Sequence, residues 1–599
     1  MSRWIPIVFT LLSLSTTAPA AELTAYPQTL RPSPFGGVVE ADRGGEAAPR
    51  RSLHLQTARA AHVSFHLAAS VPEGGEYRLR IVAPAESGSV AVSLFREWFH
   101  LLKANKQYYP DALIPVRAPY ASHMPEPGNA IPKQTTQAFW VDLWVPPNTP
   151  PGEHKFEAVL EAGATRSTLP IAITILPATI PAADAVALDH NTYGTSWFAS
   201  QYPDLAKRLG DRFYQSNEFY GLLHAYHRIF YEHRGVYHQL GYGHAGKVGP
   251  EFAPRLTGTG RTKHIADWTE FDRHYGPLLD GTAFAGGERP AKPIPFVYLP
   301  VNPEWPASFL WWGEPGYERE FVNVLSEMER HFREKGWTST RFELFFNHKK
   351  RYKGFPWDGD ETRFVRDYAY FREYARMMKR AIPNDSPVKF VFRTDASWTI
   401  ERSFRELAGV INFWVCGNGM LSWYPEAARE AKARGDIVWI YGGTPPVTQP
   451  AAAITLDVLT PWMRSLDGYV HWLATSPGDD PWFQFEGGGE TLVYPGEKFG
   501  VEGPIPSVRL KLQRNAVEDI TLLDSLHAPR DAVSRAFNGT TPADWWSKRP
   551  ALADTNPEDW TNATIDDATQ PGPAFRHSPN AAAWQHVHDY TLELAGAKQ

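Results

Sequence analysis

Asp360 and Glu361 are adjacent carboxylic acids, a pair of side chains that can carry out acid–base chemistry. Carboxylates that share a pocket repel each other, so the pKa of one rises and that group can stay protonated near neutral pH. It can then donate its proton to a leaving oxygen while the second group stabilises positive charge, as in the cleavage of a glycosidic bond. Neighbouring strand residues point to opposite faces, so both acids can reach one substrate only from an irregular loop, which Gly359 permits. We therefore take Asp360 and Glu361 as the candidate catalytic residues.

The same acids could instead have a structural role. Residues 362–381 are predicted to form a helix, and acidic residues favour helix N-termini. Asp358 and Glu361 have the spacing of a capping box, in which side chains at the helix start bond to its first backbone N–H groups. The two roles are compatible, since Asp358 could cap the helix while Asp360 and Glu361 act on a substrate.

Further polar and aromatic residues follow the predicted strands at the ends where a barrel enzyme places its site. The residues expected to contact substrate there are Asn191, Asn347, Lys349, Asp395, Trp398, Tyr441, Trp472 and Trp482. Polar groups can bind hydroxyls and flat rings can stack on sugars, although core packing is the commoner role for any single tryptophan. Five histidines lie between His224 and His244, but no HExxH motif is present, and we predict neither a metal nor a cofactor.

The elements that must position these residues begin near Val186, where short apolar runs alternate with amphipathic segments. The predicted strands are 186–189, 235–239, 294–299, 342–346, 388–392, 410–415, 437–441 and 469–473. The predicted helices are 204–233, 318–335, 362–381, 400–407, 424–434 and 455–466. Eight strands with helical crossovers predict a parallel (β/α)8, or TIM-like, barrel over residues 181–500. An open doubly wound sheet is the alternative, but no Gly-rich phosphate loop follows any strand.

Residues 21–180 have a different pattern, with apolar residues alternating at period two between turn signals. The clearest runs are 62–67, 77–81, 139–145, 156–160 and 169–175. Several short strands at this spacing predict an all-β sandwich. Residues 501–599 are predicted to form a C-terminal extension of helices and irregular joints, with one helix near 504–523. The chain is therefore expected to be multidomain.

The composition is that of a globular protein, with 599 residues, 43% hydrophobic and 21% charged. The net charge of −6 gives no reason to expect nucleic acid or an anionic membrane as a partner. A single cysteine excludes an intramolecular disulfide and a cysteine-based zinc site. With 22 Trp and 25 Tyr, the chain suits an oligosaccharide or glycoconjugate partner, and its oligomeric state is left open.

The N-terminus has the features of a secretion signal. Arg3 supplies a positive charge, residues 5–14 form a short apolar stretch, and Ala18-Pro19-Ala20 has the form of a cleavage site. The apolar stretch is too short to span a bilayer, so no membrane insertion is expected. We predict a signal peptide over residues 1–20 and a secreted or periplasmic mature protein.

Three motifs in a fixed order resemble known families. They are residues 139–146 followed by Pro151-Gly152, residues 345–349 leading to 357–361, and residues 503–511 followed by Glu518-Asp519. Together they span most of residues 130–525. In this order they resemble glycoside hydrolase family 123 and the related DUF4091 group, which often carry Asn-x-Lys and then Asp-Glu-Pro in the second motif. Thr362 departs from that pattern at the proline position, which bears on substrate identity.

The resemblance implies a sandwich, a TIM-like barrel and a C-terminal extension. It also implies retaining hydrolysis of β-linked N-acetylgalactosamine, in which the sugar's own 2-acetamido carbonyl attacks the anomeric carbon and forms an oxazolinium. In that reaction Asp360 would orient the acetamido N–H, and Glu361 would act as general acid and then as base. Two alternatives stay open: a retaining glycosidase whose nucleophile is Asp395 or Glu304, and a carbohydrate-binding barrel without catalysis.

Overall fold

The computed structural model describes residues 20–43, 48–84, 89–243, 248–302, 305–306, 316–349, 355–361, 365–396, 400–418, 421, 425–475, 478, 480–486, 491–537 and 581–597. Nearly all of the predicted signal peptide lies outside these residues, as do Trp398 and Glu304. Within the described ranges, no helix is long and apolar enough to cross a membrane.

The N-terminal part is a β-sandwich of two five-stranded sheets, as predicted. Its strands are β1 (Glu22–Pro27), β2 (Leu53–Arg59), β3 (Ala61–Ser70), β4 (Gly75–Val82), β5 (Ala91–Leu102), β6 (Gln107–Val116), β7 (Tyr120–Met124), β8 (Thr136–Val145), β9 (Gly152–Ala162) and β10 (Thr165–Thr179). One sheet has the order β1-β3-β8-β5-β6 and the other β2-β10-β9-β4-β7. The pairs are antiparallel except for β2 and β10, which run parallel.

Strand β8 shows why the sandwich also packs against the rest of the chain. Phe139, Val141 and Leu143 alternate along it and fill the core between the two sheets. Trp140, on the opposite face, is buried in a second cluster shared with the barrel. Both faces of this strand are therefore covered, one by the partner sheet and one by the barrel.

The second part is the predicted barrel of eight parallel strands. They are β11 (Ala187–Tyr193), β12 (Val236–Leu240), β15 (Phe296–Tyr298), β16 (Arg341–Leu344), β17 (Lys389–Ala396), β18 (Phe413–Gly417), β19 (Ile437–Gly442) and β20 (Gly468–His471). The order β12-β11-β20-β19-β18-β17-β16-β15 leaves β12 and β15 at the ends of the sheet. The rings of His238 on β12 and Tyr298 on β15 stack at 3.7 Å, which brings these two strands together and nearly closes the ring.

Two pairs of short strands lie outside the barrel, β13 (Arg255–Thr257) with β14 (His264–Asp267) and β21 (Val493–Pro495) with β22 (Pro504–Pro506). The helices are α1 (Phe198–Gln201), α2 (Pro203–Leu209), α3 (Asn217–Glu232), α4 (Thr269–Leu279), α5 (Tyr317–Glu334), α6 (Tyr368–Ala381), α7 (Ile400–Glu406), α8 (Pro425–Ala433), α9 (Leu456–Met463), α10 (Val508–Ser525), α11 (Arg530–Ala536) and α12 (Ala581–Ala597). Short 3-10 turns cover Glu40–Asp42, Gly210–Gln215, Gly260–Thr262, Thr282–Phe284, Val365–Asp367, Ala451–Thr455 and Glu497–Phe499. Helical segments therefore lie between most barrel strands, as the sequence predicts.

Helix α10 joins the two parts. Nearly all of its residues are buried, and Ser507 caps its start by accepting a hydrogen bond from the backbone N–H of Leu510 at 3.0 Å. From this helix Lys511 and Arg514 contact the Asp142 carboxylate of β8, at 2.5 and 2.9 Å. Charges can be buried here because each has a partner of opposite sign. The helix that begins the predicted C-terminal extension therefore lies in the seam between sandwich and barrel.

Candidate active site

The carboxyl ends of the barrel strands bring most of the predicted site residues to one mouth. Strand β17 carries Asp395, β19 carries Tyr441, and Trp472 directly follows β20. Residues 345–349 continue the chain from β16 and include Asn347 and Lys349. The direction of the parallel strands alone therefore gathers these side chains.

The loop that carries the acid pair is fixed by its backbone. The N–H groups of Gly359 and Asp360 donate to the carbonyl oxygen of His348 at 3.1 and 3.3 Å. A Cβ atom on Gly359 would lie 2.5 Å from Cβ of Phe346 and 2.7 Å from Cε1 of His348. Only glycine permits this close approach, which brings the acids next to the end of β16.

Glu361 has φ of +65°, in the left-handed region that non-glycine residues rarely adopt. With this turn, two consecutive side chains reach one cation, since Lys349 Nζ lies 3.0 Å from Asp360 Oδ2 and 3.0 Å from Glu361 Oε2. An extended strand would send these side chains to opposite faces. The strained turn therefore holds the two carboxylates on the same side.

The three charges form a largely buried group. The exposed side-chain fractions are 9% for Lys349, 7% for Asp360 and 19% for Glu361. Burial alone would lower the pKa of Lys349, but the two neighbouring carboxylates outweigh it, so the pKa is raised. The lysine stays charged and offsets the repulsion between the acids. Of the two acids, Glu361 is the more open to solvent.

A third carboxyl group, that of Asp395, interacts electrostatically with Asp360. Burial raises its pKa to about 7, an effect that Arg393 opposes and the charge of Asp360 reinforces. The Nε–H of Arg393 donates to Asp395 Oδ1 at 3.1 Å. Asp395 can therefore hold a proton near neutral pH, unlike an ordinary aspartic acid.

Asn347 is held by two tyrosines that the sequence analysis did not select. Its Nδ2 donates to the Tyr193 hydroxyl at 3.1 Å, and its backbone N–H donates to the Tyr242 hydroxyl at 3.1 Å. Burial and the charge of Asp360 raise the pKa of Tyr193. Both tyrosines stay neutral and position Asn347 beside the acids.

An aromatic wall completes the mouth. The ring of Trp472 meets Tyr193 edge-on at 5.1 Å and Tyr441 at 6.0 Å. The pKa of Tyr441 is raised by burial and then by the charges of Asp360, Glu361 and Asp395. Flat rings and carboxylates therefore share one site.

A layer of buried polar groups lies inside the barrel, among them the predicted contact Asn191. Arg393 Nη1 donates to the Tyr298 hydroxyl at 2.7 Å and lies 3.2 Å from Glu343 Oε2. Asn191 Nδ2 donates to the same hydroxyl at 2.9 Å, and its side chain is fully buried. Asn191 therefore supports Arg393 and Asp395 through Tyr298, and the structure gives it no place at the aromatic wall.

Trp482 lies elsewhere than the sequence analysis expected. It packs on Trp98 of the sandwich at 5.6 Å and on Phe499 at 4.7 Å, and it is 5% exposed. The indole N–H of Trp98 donates to the carbonyl oxygen of Trp482 at 3.2 Å. The segment that follows β20 returns to the sandwich, so this tryptophan fills the seam and is not gathered with Asp360.

The alternative in which Asp358 and Glu361 form a capping box does not fit the backbone, because the φ of +65° at Glu361 is not that of a residue in the first turn of a helix. The backbone N–H of Asp358 donates to the Asp367 carboxylate at 3.0 Å, and Asp367 belongs to the 3-10 turn Val365–Asp367. Asp358 and Glu361 both precede that turn, within the loop.

Several residues of the site could not be selected by motif. Tyr193 is the last residue of strand β11, and Tyr242 follows the end of strand β12. Their position at strand ends was a signal in the sequence, but many other polar residues have the same position. Arg393 precedes Asp395 by two residues on β17 and therefore shares its face, which the period of a strand predicts.

One solved structure resembles the whole chain. It is a family 123 glycoside hydrolase from Clostridium perfringens, studied for glycolipid glycan hydrolysis, with a TM-score of 0.64 and 12% identity. The match covers 97% of this chain and 100% of that enzyme. The chain thus has the fold of a family 123 glycoside hydrolase.

A further similar structure holds the CBM22-1 and GH10 modules of a Clostridium thermocellum endo-1,4-β-D-xylanase, complexed with xylohexaose. Its TM-score is 0.31 at 10% identity, over 85% of this chain and 94% of that one. No family model matches the sequence, and no curated protein matches it significantly.

Proposed function

We propose that this chain is an exported glycoside hydrolase that cleaves β-linked N-acetylhexosaminides, with N-acetylgalactosamine as the expected sugar. The observation that carries the proposal is the placement of Asp360 and Glu361 on one lysine at the mouth of the barrel. The fold shared with a family 123 glycoside hydrolase supports it. Export rests on the signal peptide predicted for residues 1–20.

The proposed mechanism uses the substrate's own acetamido group. Its carbonyl oxygen bonds to the anomeric carbon as the bond from that carbon to the leaving oxygen breaks, and Glu361 gives its proton to the leaving oxygen. Water then attacks the anomeric carbon of the oxazolinium as the bond from that carbon to the acetamido oxygen breaks. The acetamido group is restored, and Glu361 takes up a proton from the attacking water. Holding the internal nucleophile in place supplies a large proximity advantage.

The two acids differ in ways that fit these roles. Asp360, the more buried, would accept the acetamido N–H and keep its charge beside Lys349. Glu361 is 19% exposed, so it can reach the leaving oxygen of a substrate that enters from solvent. Lys349 would keep the pair from sharing a proton in the unoccupied site.

Asp395 is poorly suited to act as a nucleophile. A nucleophilic carboxylate must be ionised, whereas burial raises the pKa of Asp395 to about 7. In its protonated form it would instead donate a hydrogen bond to a sugar oxygen. This favours substrate assistance over a mechanism in which Asp395 is the nucleophile; Glu304, the other candidate nucleophile, lies outside the described residues.

The test is a screen of aryl β-glycosides, including the N-acetylgalactosaminide and N-acetylglucosaminide, with wild type and Glu361→Gln. We expect turnover of an N-acetylhexosaminide that falls by roughly 10²–10⁴-fold in the variant, because the amide cannot transfer a proton. Glu153→Gln, on the exposed surface of the sandwich, is the matched control and should retain full activity. Full activity of Glu361→Gln would reject the assignment.

A thiazoline that mimics the oxazolinium separates the mechanisms. Tight competitive inhibition is expected if the acetamido group is the nucleophile. Turnover of glycosides without an acetamido group, with no thiazoline inhibition, would favour a protein nucleophile. Specific glycan binding without any product would indicate a carbohydrate-binding barrel.

A further inference from the structure

Four ionisable side chains that the proposed mechanism does not use lie inside the barrel, next to Asp395. We call them the inner charge layer; its members are Asp189 on β11, His238 on β12, Glu343 on β16 and Arg393 on β17. None of these side chains is more than 3% exposed. The interiors of such barrels are dominated by branched apolar residues, and buried ion pairs add little stability over apolar packing. Four ionisable groups at this depth therefore indicate a role beyond packing.

One cation, Arg393, serves three carboxyl groups. Its Nη1 lies 3.3 Å from Asp189 Oδ2 and 3.2 Å from Glu343 Oε2, and its Nε–H donates to Asp395 Oδ1 at 3.1 Å. A single positive charge does not neutralise three ionised carboxylates, and an excess of charge away from water is costly. The inner charge layer and Asp395 together must therefore bind further protons.

His238 offers a place for one such proton. Its Nδ1 lies 2.8 Å from Asp189 Oδ2, and its Nε2 lies 3.6 Å from Glu343 Oε1. With a proton on both nitrogens, the ring places a positive charge between the two carboxyl groups. Burial raises the pKa of Glu343, an effect that His238 and Arg393 oppose and Asp189 reinforces. The charged imidazole is thus the second cation of the layer.

The other titratable groups around Asp395 and His238 stay neutral near neutral pH. Burial is the main cause that raises the pKa values of three tyrosines and one cysteine there, namely Tyr193, Tyr298, Tyr441 and Cys416. Burial lowers the pKa of His227, which interacts electrostatically with His238 from α3, well below its ordinary value. Outside the layer, the Asp360 carboxylate, paired with Lys349, also acts on Asp395.

The charge of Asp189 acts on Asp395 across Arg393. Burial raises the pKa of Asp395 to about 7; Arg393 opposes the rise, whereas the charges of Asp360 and Asp189 reinforce it. Asp189 is fully buried inside the barrel, so it does not touch a substrate at the mouth. Its carboxylate favours a proton on Asp395, and a positive charge on His238 beside it disfavours that proton.

We propose that Asp189 and His238 are positioning residues of the hydrolase: through Arg393 they set whether Asp395 carries the proton that it offers to a sugar oxygen. The inference rests on the proposed function and deepens it, because the barrel interior then fixes the pH range in which the mouth is active. Neither residue touches the substrate, and no bond to either one forms or breaks.

The first experiment measures the pH dependence of kcat/KM on an aryl β-N-acetylgalactosaminide for wild type, Asp189→Asn and His238→Asn. The protonated form of Asp395 is the active one, so kcat/KM should fall as the pH rises through its pKa of about 7. Loss of the Asp189 charge lowers that pKa, and loss of the His238 charge raises it. The midpoint of the fall should move down by about one pH unit in Asp189→Asn and up by about one pH unit in His238→Asn.

The matched control is Asp272→Asn. Asp272 on α4 contacts His331 on α5 at 2.8 Å, so this pair repeats the Asp–His contact outside the barrel. The control should keep the midpoint of wild type. Adding Asp395→Asn to either layer variant should abolish its shift, because the titrating group is gone. A merely structural defect would lower kcat/KM at every pH and would not move the two midpoints in opposite directions.

The second experiment needs no turnover. Thermal melts compare wild type and each layer variant with its Asp395→Asn counterpart, from about pH 4 to about pH 9. An aspartic acid whose pKa is raised by folding loses stability with rising pH until the pH passes its folded pKa, so the pH at which the difference levels off reports that pKa. This levelling-off point should move in the same directions as the midpoints of activity.

The outcomes separate the two proposals. A midpoint and a levelling-off point that stay in place in either variant, or that move in the same direction in both, would overturn the inference and leave the proposed function intact. If one variant does not fold, the other decides alone. Opposite shifts in the melts of a protein that cleaves no glycoside would instead overturn the proposed function, and with it the role in catalysis.

Discussion

Replacing Lys349 with methionine removes the cation between Asp360 and Glu361 while nearly preserving side-chain volume. Lys349 Nζ lies 3.0 Å from an oxygen of each acid. Coulomb's law with an effective dielectric constant of about 20 gives roughly 5 kcal/mol for each contact at this separation. Desolvation offsets much of that, and removing one partner of a buried pair costs about 3–5 kcal/mol. We expect the free energy of unfolding to fall by about 3 kcal/mol near neutral pH.

The loss should depend on pH in a definite direction. Without Lys349 the two carboxylates repel, so the pKa of at least one rises and the folded variant binds a proton that the unfolded chain releases. Lowering the pH towards about 4, the ordinary range of carboxyl groups, protonates the pair and removes the repulsion. The deficit of the variant relative to wild type should therefore shrink as the pH falls.

Urea unfolding of wild type and Lys349→Met across the range from about pH 5 to about pH 8 measures this deficit. The matched control is Lys155→Met, because Lys155 pairs with Glu153 at 2.9 Å but its side chain is 72% exposed. That pair should contribute less than about 1 kcal/mol, without a pH trend. A Lys349→Met deficit that does not change with pH, or is no larger than that of the control, would refute the electrostatic argument.

Three further changes test the framework of the site. Gly359→Ala places a Cβ atom 2.5 Å from Cβ of Phe346, so it should displace the loop that carries Asp360 and Glu361 and lower kcat at least tenfold. The control is Gly221→Ala, whose added Cβ atom would meet nothing within 4 Å and should leave kcat unchanged. Asp395→Asn removes a carboxyl group whose pKa is about 7 in the folded protein. As pH rises from about 4 to about 7, the unfolded wild-type chain releases this proton while the folded protein keeps it, so wild-type stability falls and thermal melts should increasingly favour the variant over this window. Asp142→Asn leaves two buried cations poorly paired and should cost about 3–5 kcal/mol in urea unfolding, and retention of full stability would contradict the role of the seam.

The barrel was predictable because its signal is local. Each strand is a short apolar run, and the helical segments between them repeat at their own period, so counting them predicted the eight strands. The predicted strand 235–239 and the observed Val236–Leu240 differ by a single residue at each end. Strand direction then placed Asn347, Asp395 and Tyr441 at one mouth without any knowledge of contacts.

The errors concern contacts between distant segments. Trp482 follows a barrel strand, yet its partner Trp98 belongs to the sandwich, which no local pattern in the sequence reveals. Asp142 was the subject of no prediction, and its contact with helix α10 likewise joins segments that are far apart in the sequence. Packing between domains thus decided both cases.

The geometry of the acid pair also exceeded what the sequence could specify. An irregular loop was expected from Gly359, but the left-handed turn at Glu361 and the shared contact with Lys349 depend on backbone bonds to His348. The roles of Tyr193 and Tyr242 depend on which strand ends face residue 347 across the barrel. These are properties of the assembled ring.

The most direct measurement of the central claim is a crystal structure of the wild-type protein with an N-acetylgalactosamine-derived thiazoline bound. The account predicts the thiazoline nitrogen within hydrogen-bond distance of an Asp360 carboxylate oxygen, and the Glu361 carboxylate beside the anomeric carbon, on the face where the leaving oxygen departs. An inhibitor bound away from both residues, or held with Asp395 as the carboxylate facing the anomeric carbon, would contradict it.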